Sequence, residues 1–317
     1  MTHKIILSIL LSITIGVSIF TIFQFTFSDS LDTRERIFYE QDFDQTTDKI
    51  LLLGSSHVGQ INATYVNSLI LKKIPNSVVY NLAEASNLPS KRLATIDEII
   101  KMKPSIVVYG IGYRDFSDKL DFNQKDVIFP DPEKIIHDSL RSTSINNFDF
   151  LDNPKLVTLN TIKGFLKTGL SNSSVEFYKE NTPFFPYEEA VVTIVNISEI
   201  EKNYDKNSNK IKINLKNNIE INSFKKIIEI LQKNNISIIL FDTPHQKFYT
   251  DLIPDSEKTS FEFILNELSQ KYKLNVYSLK NKYSTSNIWA TTNHVATNSN
   301  SSIYSEDIAK MILEDFN

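Results

Sequence analysis

KILLLGSSH, residues 49–57, decides the fold. Ile50 to Leu53 are apolar without alternation, the pattern of a strand buried on both faces of a parallel sheet, and Gly54, Ser55 and Ser56 end it in small residues. Downstream, Val58, Ile61, Tyr65, Val66, Leu69 and Ile70 recur at helical spacing, which predicts a helix over 58–72. A second strand is predicted at 78–82, a helix at 89–103 with Leu93, Ile96, Ile99 and Ile100 on one side, and a third strand at 105–110. Strand, helix, strand, helix, strand with short connections is the mark of a doubly wound sheet. The alternation lapses over 116–214, a stretch with Pro130, Pro132, Pro154, Pro183 and Pro186 and with helices expected near 132–141 and 154–170. A segment that long between two strands reads as an insertion folded over one end of the sheet, where it could form a lid. The pattern resumes with a helix at 217–232, a strand at 237–242, a helix at 255–272, a strand at 275–278 and a final helix at 304–315. The expected fold is a three-layer α/β/α sandwich around a parallel five-stranded sheet in flavodoxin-like order.

Working back toward the N-terminus, residues 29–48 are polar and acidic, as in a juxtamembrane linker, and residues 5–27 read IILSILLSITIGVSIFTIFQFTF with no charge. As a helix that run would extend roughly 34 Å, enough for a hydrocarbon core of about 30 Å. It exceeds a signal-peptide core and no small-residue cleavage site follows it, so residues 1–28 are expected to be an uncleaved transmembrane signal anchor. Lys4 precedes the span while Arg34 and Arg36 follow it among acidic residues, so the flanking charges barely fix the orientation. With nearly the whole chain after the anchor, export of the domain at 49–317 is the expected outcome: a single-pass protein of the cell membrane with its globular part outside the cytoplasm. A net charge of −4 lacks the basic footprint of nucleic-acid binding, and the absence of cysteine removes disulfides, thiolate metal sites and cysteine nucleophiles. N-x-S/T matches at Asn62, Asn172, Asn196, Asn235 and Asn300 are as many as an Asn-rich chain yields by chance.

In an open α/β sheet, ligands bind at the carboxyl ends of the strands, and the residues with chemical potential fall there. Gly54-Ser55-Ser56-His57 follows the first strand, Asn81-Leu82-Ala83-Glu84-Ala85-Ser86 the second, Gly110-Ile111-Gly112-Tyr113-Arg114-Asp115 the third, and Thr291-Thr292-Asn293-His294 precedes the last helix. Taken singly, each has a plain structural reading. Ser55 or Ser56 can cap a helix, Arg114 can pair with Asp115 to fix its loop, His57 can simply begin the helix, and His245, in Asp242-Thr243-Pro244-His245, can be a loop histidine. His57, His245 and His294 with a nearby Asp could in principle ligate zinc, but no recognised ligand spacing supports it.

Together and in this order, the four segments resemble the conserved blocks of the SGNH (GDSL-like) hydrolases, over 49–316 apart from the insertion. The resemblance puts Ser56 in the nucleophile position and His294 in that of its base, and implies an oxyanion hole from the backbone N–H groups of Ser56 and Ser86 with Arg114 where the family has Asn. It departs from the family at Ser55, where Asp is usual, at Ser86, where Gly is usual, and at Thr291, where the family carries the acid of its triad. That acid orients the imidazole and stabilises its cation, and its loss can cost around 10⁴-fold in rate. Three outcomes stay open: a Ser56–His294 dyad, another carboxylate such as Asp242 or Asp115 against the imidazole, or a site without catalysis. What the resemblance implies is a serine esterase or O-acyltransferase with no cofactor or metal, acting on acylated glycans of the cell envelope or small esters. The alternative is an inactive SGNH-like domain that binds an envelope glycan or a partner protein.

Overall fold

A computed structural model describes residues 38–117, 181–183, 194–198, 202, 211–297 and 301–316. The apolar run at 5–27, the expected helices near 132–141 and 154–170, and most of the insertion at 116–214 lie outside the described residues. The chain divides into two compact units, Met1–Gln41 with Asp126–Thr158 and Asp42–Lys125 with Leu159–Asn317. The sheet and the candidate site belong to the second. Among the described residues no helix is long and apolar enough to cross a membrane.

Five parallel strands form the sheet: β1 (Asp48–Leu53), β2 (Ser77–Asn81), β3 (Ile106–Ile111), β4 (Ser237–Asp242) and β5 (Asn275–Ser278), in the order β2-β1-β3-β4-β5. Between them run α1 (Ser56–Gly59), α2 (Ala63–Ile70), α3 (Pro89–Ala94) and α4 (Ile96–Met102), then a 3₁₀ turn (Tyr113–Phe116), α5 (Ile219–Lys233), α6 (Lys247–Asp251) and α7 (Asp255–Tyr272), and α8 (Ser302–Asp315) follows β5. Ile50 to Leu53 are fully buried because helices cover both faces. Ile50, Leu52, Val108, Ile239 and Phe241 meet Val66 and Ile70 of α2 and Ile308 and Ile312 of α8 in one core. On the other face Tyr109 of β3 packs edge-on against Phe224 of α5, ring centroids 4.8 Å apart. Each such side chain contributes roughly 1.5–3 kcal/mol by leaving water. Helices as short as α1 and α6 have no comparable stability of their own and exist through their packing.

The chain leaves β1 for the edge at β2 and then crosses back to β3 on the other side of β1, so the loops after β1 and β3 diverge. That divergence is the topological switch point, where an open α/β sheet has its crevice. β2 does not present a bare edge. Val79 N–H donates to Asn67 Oδ1 of α2 (3.0 Å), Asn81 N–H donates to Asn181 C=O (2.6 Å), and the Asn181 amide returns a bond to Val79 C=O (2.8 Å).

Two expected helices are each broken in two. The helix expected over 58–72 stops at Gly59 and restarts at Ala63, because the groups that would carry it through are taken by distant partners. The Asn81 amide donates to Val58 C=O (2.9 Å) and Ile61 C=O (3.1 Å), and Asn62 N–H goes to Ser305 Oγ of α8 (3.0 Å). Asn62 then caps α2 by accepting from Tyr65 N–H (3.0 Å). The helix expected over 89–103 is interrupted at Thr95, whose N–H and hydroxyl both turn to Arg92 C=O (3.1 and 3.2 Å).

Candidate active site

The site grows from the C-terminal ends of β1 and β3. Gly54 has φ of +144°, and a Cβ there would stand 2.5 Å from both Gly110 C=O and a methyl of Val58, so only glycine lets β1 turn into α1 this close to β3. The turn delivers Ser55 as the residue before α1 and Ser56 as its first. Ser55 makes no cap bond with its side chain; its hydroxyl lies 3.3 Å from His57 Nδ1. Ser56 lies partly exposed, with its own N–H given no partner by the described chain. Because α1 has four residues, the strong helix dipole that a helix over 58–72 would have aimed at this point is replaced by a single short turn.

His294 reaches Ser56 from the far end of the chain. It sits in a tight hairpin where Trp289 pairs with Val295, Ala290 N–H donates to His294 C=O (2.9 Å), and Ala296 N–H donates to Ile288 C=O (2.7 Å). Trp289 is fully buried and its indole N–H donates to Tyr283 C=O (3.1 Å), which anchors the hairpin in the core. The imidazole Nε2 then lies 2.8 Å from Ser56 Oγ, and Nδ1 lies 2.9 Å from Thr291 Oγ1. Two tautomers satisfy these contacts, and a general base needs the one that leaves Nε2 as acceptor. With the proton on Nδ1, Nε2 accepts from the Ser56 hydroxyl, Nδ1–H donates to Thr291 Oγ1, and Thr291 donates onward to Asn293 Oδ1 (3.2 Å). The second lone pair of Thr291 takes His294 N–H (3.1 Å). Thr291 therefore faces Nδ1 as a neutral hydroxyl, which supplies no charge.

Neither carboxylate expected as a substitute acid is bonded to the imidazole. Asp242 is bound by Ser278 Oγ (2.8 Å), Leu279 N–H (2.5 Å) and Lys280 N–H (2.7 Å), and so ties the end of β4 to the turn after β5. Asp115 is buried and accepts from Gly112 N–H (2.6 Å) within its own 3₁₀ turn. Both follow strands at the correct edge, but each is taken by backbone N–H groups next to it. The plain alternative for Arg114, an ion pair with Asp115, does not form as a direct contact, and the two groups interact only through their charges. Burial raises the Asp115 carboxyl to about 7 against the lowering effects of Gly112 N–H and Arg114.

Three imidazoles gather here. His57 stacks on His294 with centroids 5.0 Å apart and planes at 25°, and His245 meets His57 edge-on at 5.3 Å. Burial pushes all three toward the neutral form: His294 to about 4, with Arg114 adding to the effect, His245 to about 3, and His57 well below its ordinary value. Among the described residues no group of three or more His, Cys, Asp or Glu is placed to hold a metal ion. Among the described residues, the buried His57 Nε2, His245 Nδ1, Thr243 Oγ1 and both ends of the Gln246 amide have no hydrogen-bond partner. Thr243 and Gln246 escaped the sequence reading, since nothing in Asp242-Thr243-Pro244-His245-Gln246 says that these side chains turn inward. Gly112 borders this group, and a Cβ on it would stand 2.8 Å from Thr243 Oγ1.

Ser86 adopts φ of +55°, the left-handed conformation for which glycine is the usual choice. Its loop is held by Glu84, whose carboxylate takes the fully buried Arg92 (2.7 Å), Lys91 (3.0 Å) and Asn87 (2.5 Å), while Arg92 also donates to Leu82 C=O (2.8 Å). Neither Ser56 N–H nor Ser86 N–H is bonded to another described residue.

No protein-family model matches the chain, and no curated protein matches it in sequence. Similar solved structures do exist. One is a lipase/acylhydrolase from Enterococcus faecalis, 11% identical over 85% of this chain and 95% of that one, with a TM-score of 0.43. Another is an acetyl xylan esterase, 11% identical over 84% and 98%, TM-score 0.40. A third is a GDSL-like lipase from Bacteroides thetaiotaomicron, 8% identical over 91% and 100%, TM-score 0.41. At these identities and scores the likeness is a loose one of chain course and carries nothing about the chemistry of this chain.

Proposed function

We propose that this protein is a serine esterase or O-acyltransferase of the SGNH type, with Ser56 as nucleophile and His294 as general base. The observation that carries the reading is the chain Ser56 Oγ, His294 Nε2, His294 Nδ1, Thr291 Oγ1, with a contact of 2.8 Å between residues 238 apart in sequence and one of 2.9 Å within the hairpin. Ser56 Oγ attacks the acyl carbon while Nε2 takes its proton, and the N–H groups of Ser56 and Ser86 hold the oxyanion. Collapse of the tetrahedral species breaks the ester bond, and the imidazolium returns its proton to the departing alkoxide. A second hydroxyl, from water or from a sugar, gives its proton to Nε2, attacks the acyl-Ser56 ester and frees the serine. A base held neutral down to about pH 4 is available for that step across the physiological range.

The substrate class we propose is acyl, foremost acetyl, esters of envelope glycans, as the resemblance of the four segments implies. The apolar run at 5–27 supports a membrane tether with the domain outside the cytoplasm. A second reading, a binding domain without catalysis, is favoured by one observation: no carboxylate is hydrogen-bonded to His294 among the described residues.

A fluorophosphonate probe separates the two, because it reports an activated serine without knowledge of the substrate. Covalent labelling of the full-length protein that is lost in Ser56→Ala, together with turnover of an aryl acetate, is the expected result. No labelling and no turnover by the folded protein would leave the binding domain.

A further inference from the structure

No carboxylate is hydrogen-bonded to His294 among the described residues, and Thr291 meets its Nδ1 with a hydroxyl. A triad acid both holds the imidazole in place and steadies the cation that forms on it. A hydroxyl does the first in part and brings no charge for the second. His57 covers a face of the same ring, with centroids 5.0 Å apart and planes at 25°. Hydrogen bonding does not account for a histidine here. Among the described residues its Nδ1 has the Ser55 hydroxyl at 3.3 Å, and its buried Nε2 has no partner. What the ring offers His294 is its face. The ring is also firmly backed. The His57 C=O accepts from the Tyr304 hydroxyl of α8 (3.4 Å), the C=O of the next residue, Val58, accepts from the Asn81 amide (2.9 Å), and His245 meets the His57 ring edge-on at 5.3 Å. His245 is itself packed against Tyr113 and Tyr249, at 5.4 and 5.2 Å, and its N–H donates to Lys280 C=O (3.0 Å). His57, His245, Tyr113, Tyr249 and Tyr304 are all buried.

We propose that His57 is a positioning residue for the general base: its face holds the His294 imidazole aimed at Ser56 and lies against the imidazolium as that forms, so that a ring contact does part of what a triad acid does by charge. The proposal rests on Ser56–His294 catalysis and adds to it a residue that acts through the base. A cation over a ring face, within about 6 Å of the centroid, is attracted by the ring's quadrupole. His294 carries that charge only once the proton has moved, so the attraction favours the transition state over the resting enzyme. The contact needs an uncharged partner, since two stacked cations repel. Burial supplies one by keeping His57 neutral.

Three variants of the full-length protein separate a ring face from mere polarity or bulk. His57→Phe keeps a face and is apolar, His57→Leu is apolar without a face, and His57→Gln is polar without a face. Two quantities are read: kcat and KM on an aryl acetate at pH 7, and the titration of the His294 Cε1–H by NMR, assigned by its loss in His294→Gln. The expected order follows the ring. His57→Phe should keep most of the wild-type kcat, while Leu and Gln should each lower it about 2- to 10-fold with KM little changed, and lower the His294 pKa by about half a unit. Since Nε2 has no described partner, replacing the ring should cost little stability, and melting curves with probe labelling of Ser56 confirm that folded sites are compared. An order that follows polarity, with Gln like the wild type and Phe like Leu, would overturn the proposal. So would a common loss of kcat in all three with the His294 titration unmoved, which is what a merely structural role predicts. Should the larger Phe fail to fold, Gln against the wild type decides: equal kcat and equal titration overturn the proposal, and a fall in both supports it. Should the wild type turn over no ester, the titration alone reads the contact: a lower His294 pKa in Leu and Gln but not in Phe supports it even as the hydrolase reading fails, and an unmoved titration overturns it.

Discussion

Replacing Thr291 by Asp puts a charge where the structure has a hydroxyl. The Thr291 Oγ1 atom is 2.9 Å from His294 Nδ1 and accepts His294 N–H at 3.1 Å, a geometry that a short carboxylate can reproduce. Charge centres about 4 Å apart at an effective dielectric of ~20 interact by about 4 kcal/mol. Drawing the new carboxylate partly out of water offsets about half of that, leaving roughly 2 kcal/mol. His294 is neutral in the resting enzyme and cationic only as the proton moves, so the remainder acts on the transition state and not on the ground state. At about 1.4 kcal/mol per decade, kcat on an aryl acetate should rise about 10- to 100-fold. The same charge must favour protonated His294, so the acid limb of kcat/KM, expected near pH 4 in the wild type, should move to higher pH. Thr291→Val is the counterpart. It keeps the shape but leaves Nδ1–H without an acceptor, at a cost of about 1–3 kcal/mol, and should slow turnover about tenfold or more. The assay is initial-rate kinetics from pH 3.5 to 9, with probe labelling of Ser56 to count active sites. A Thr291→Asp protein that labels normally yet shows neither a faster rate nor a shifted limb would refute the assignment of Thr291 to the position of the acid.

Asp115→Asn addresses stability. Because the folded-state pKa of Asp115 is raised to about 7, its contribution is most favourable at pH below the unfolded value of 3.8 and is lost as pH climbs through about 7. An amide keeps the acceptor for Gly112 N–H without that loss, so the melting temperature of the variant should gain on the wild type between pH 5 and pH 8.5; a difference independent of pH would count against a neutral, buried Asp115. For the apolar run at 5–27, full-length protein should stay in the membrane through a carbonate wash, and protein beginning at Thr33 should be released by it. Retention of the shortened protein would mean a further attachment elsewhere in the chain.

Much of the fold is written in local pattern. Ile50 to Leu53 announce a strand buried on both faces, and the bounds expected for β4, α7 and β5 agree with those in the structure, because each combines a clear period with a clear stop. The two broken helices were not legible. The period over 58–72 is helical, and only Asn81 and Ser305, remote in sequence, take the groups that would have carried the helix on. The site divides in the same way. Residue types and chain order single out Ser56, Ser86, Arg114 and His294, since a strand that ends in small residues leaves its next side chain at the sheet edge. Whether a carboxylate serves the imidazole is not local. Asp242 and Asp115 qualify by position, and both are claimed by backbone N–H groups of turns whose shape depends on the neighbouring strands. By itself the sequence determined the doubly wound sheet and singled out Ser56, His294 and Thr291 as residues at its carboxyl edge, because periodicity and strand ends are properties of short stretches. Only the tertiary structure decided that Thr291 faces Nδ1, that His57 stacks on His294, and that Asp242 and Asp115 are held by neighbouring backbone N–H groups, because burial and hydrogen-bond competition are settled among residues that meet only when the chain has folded.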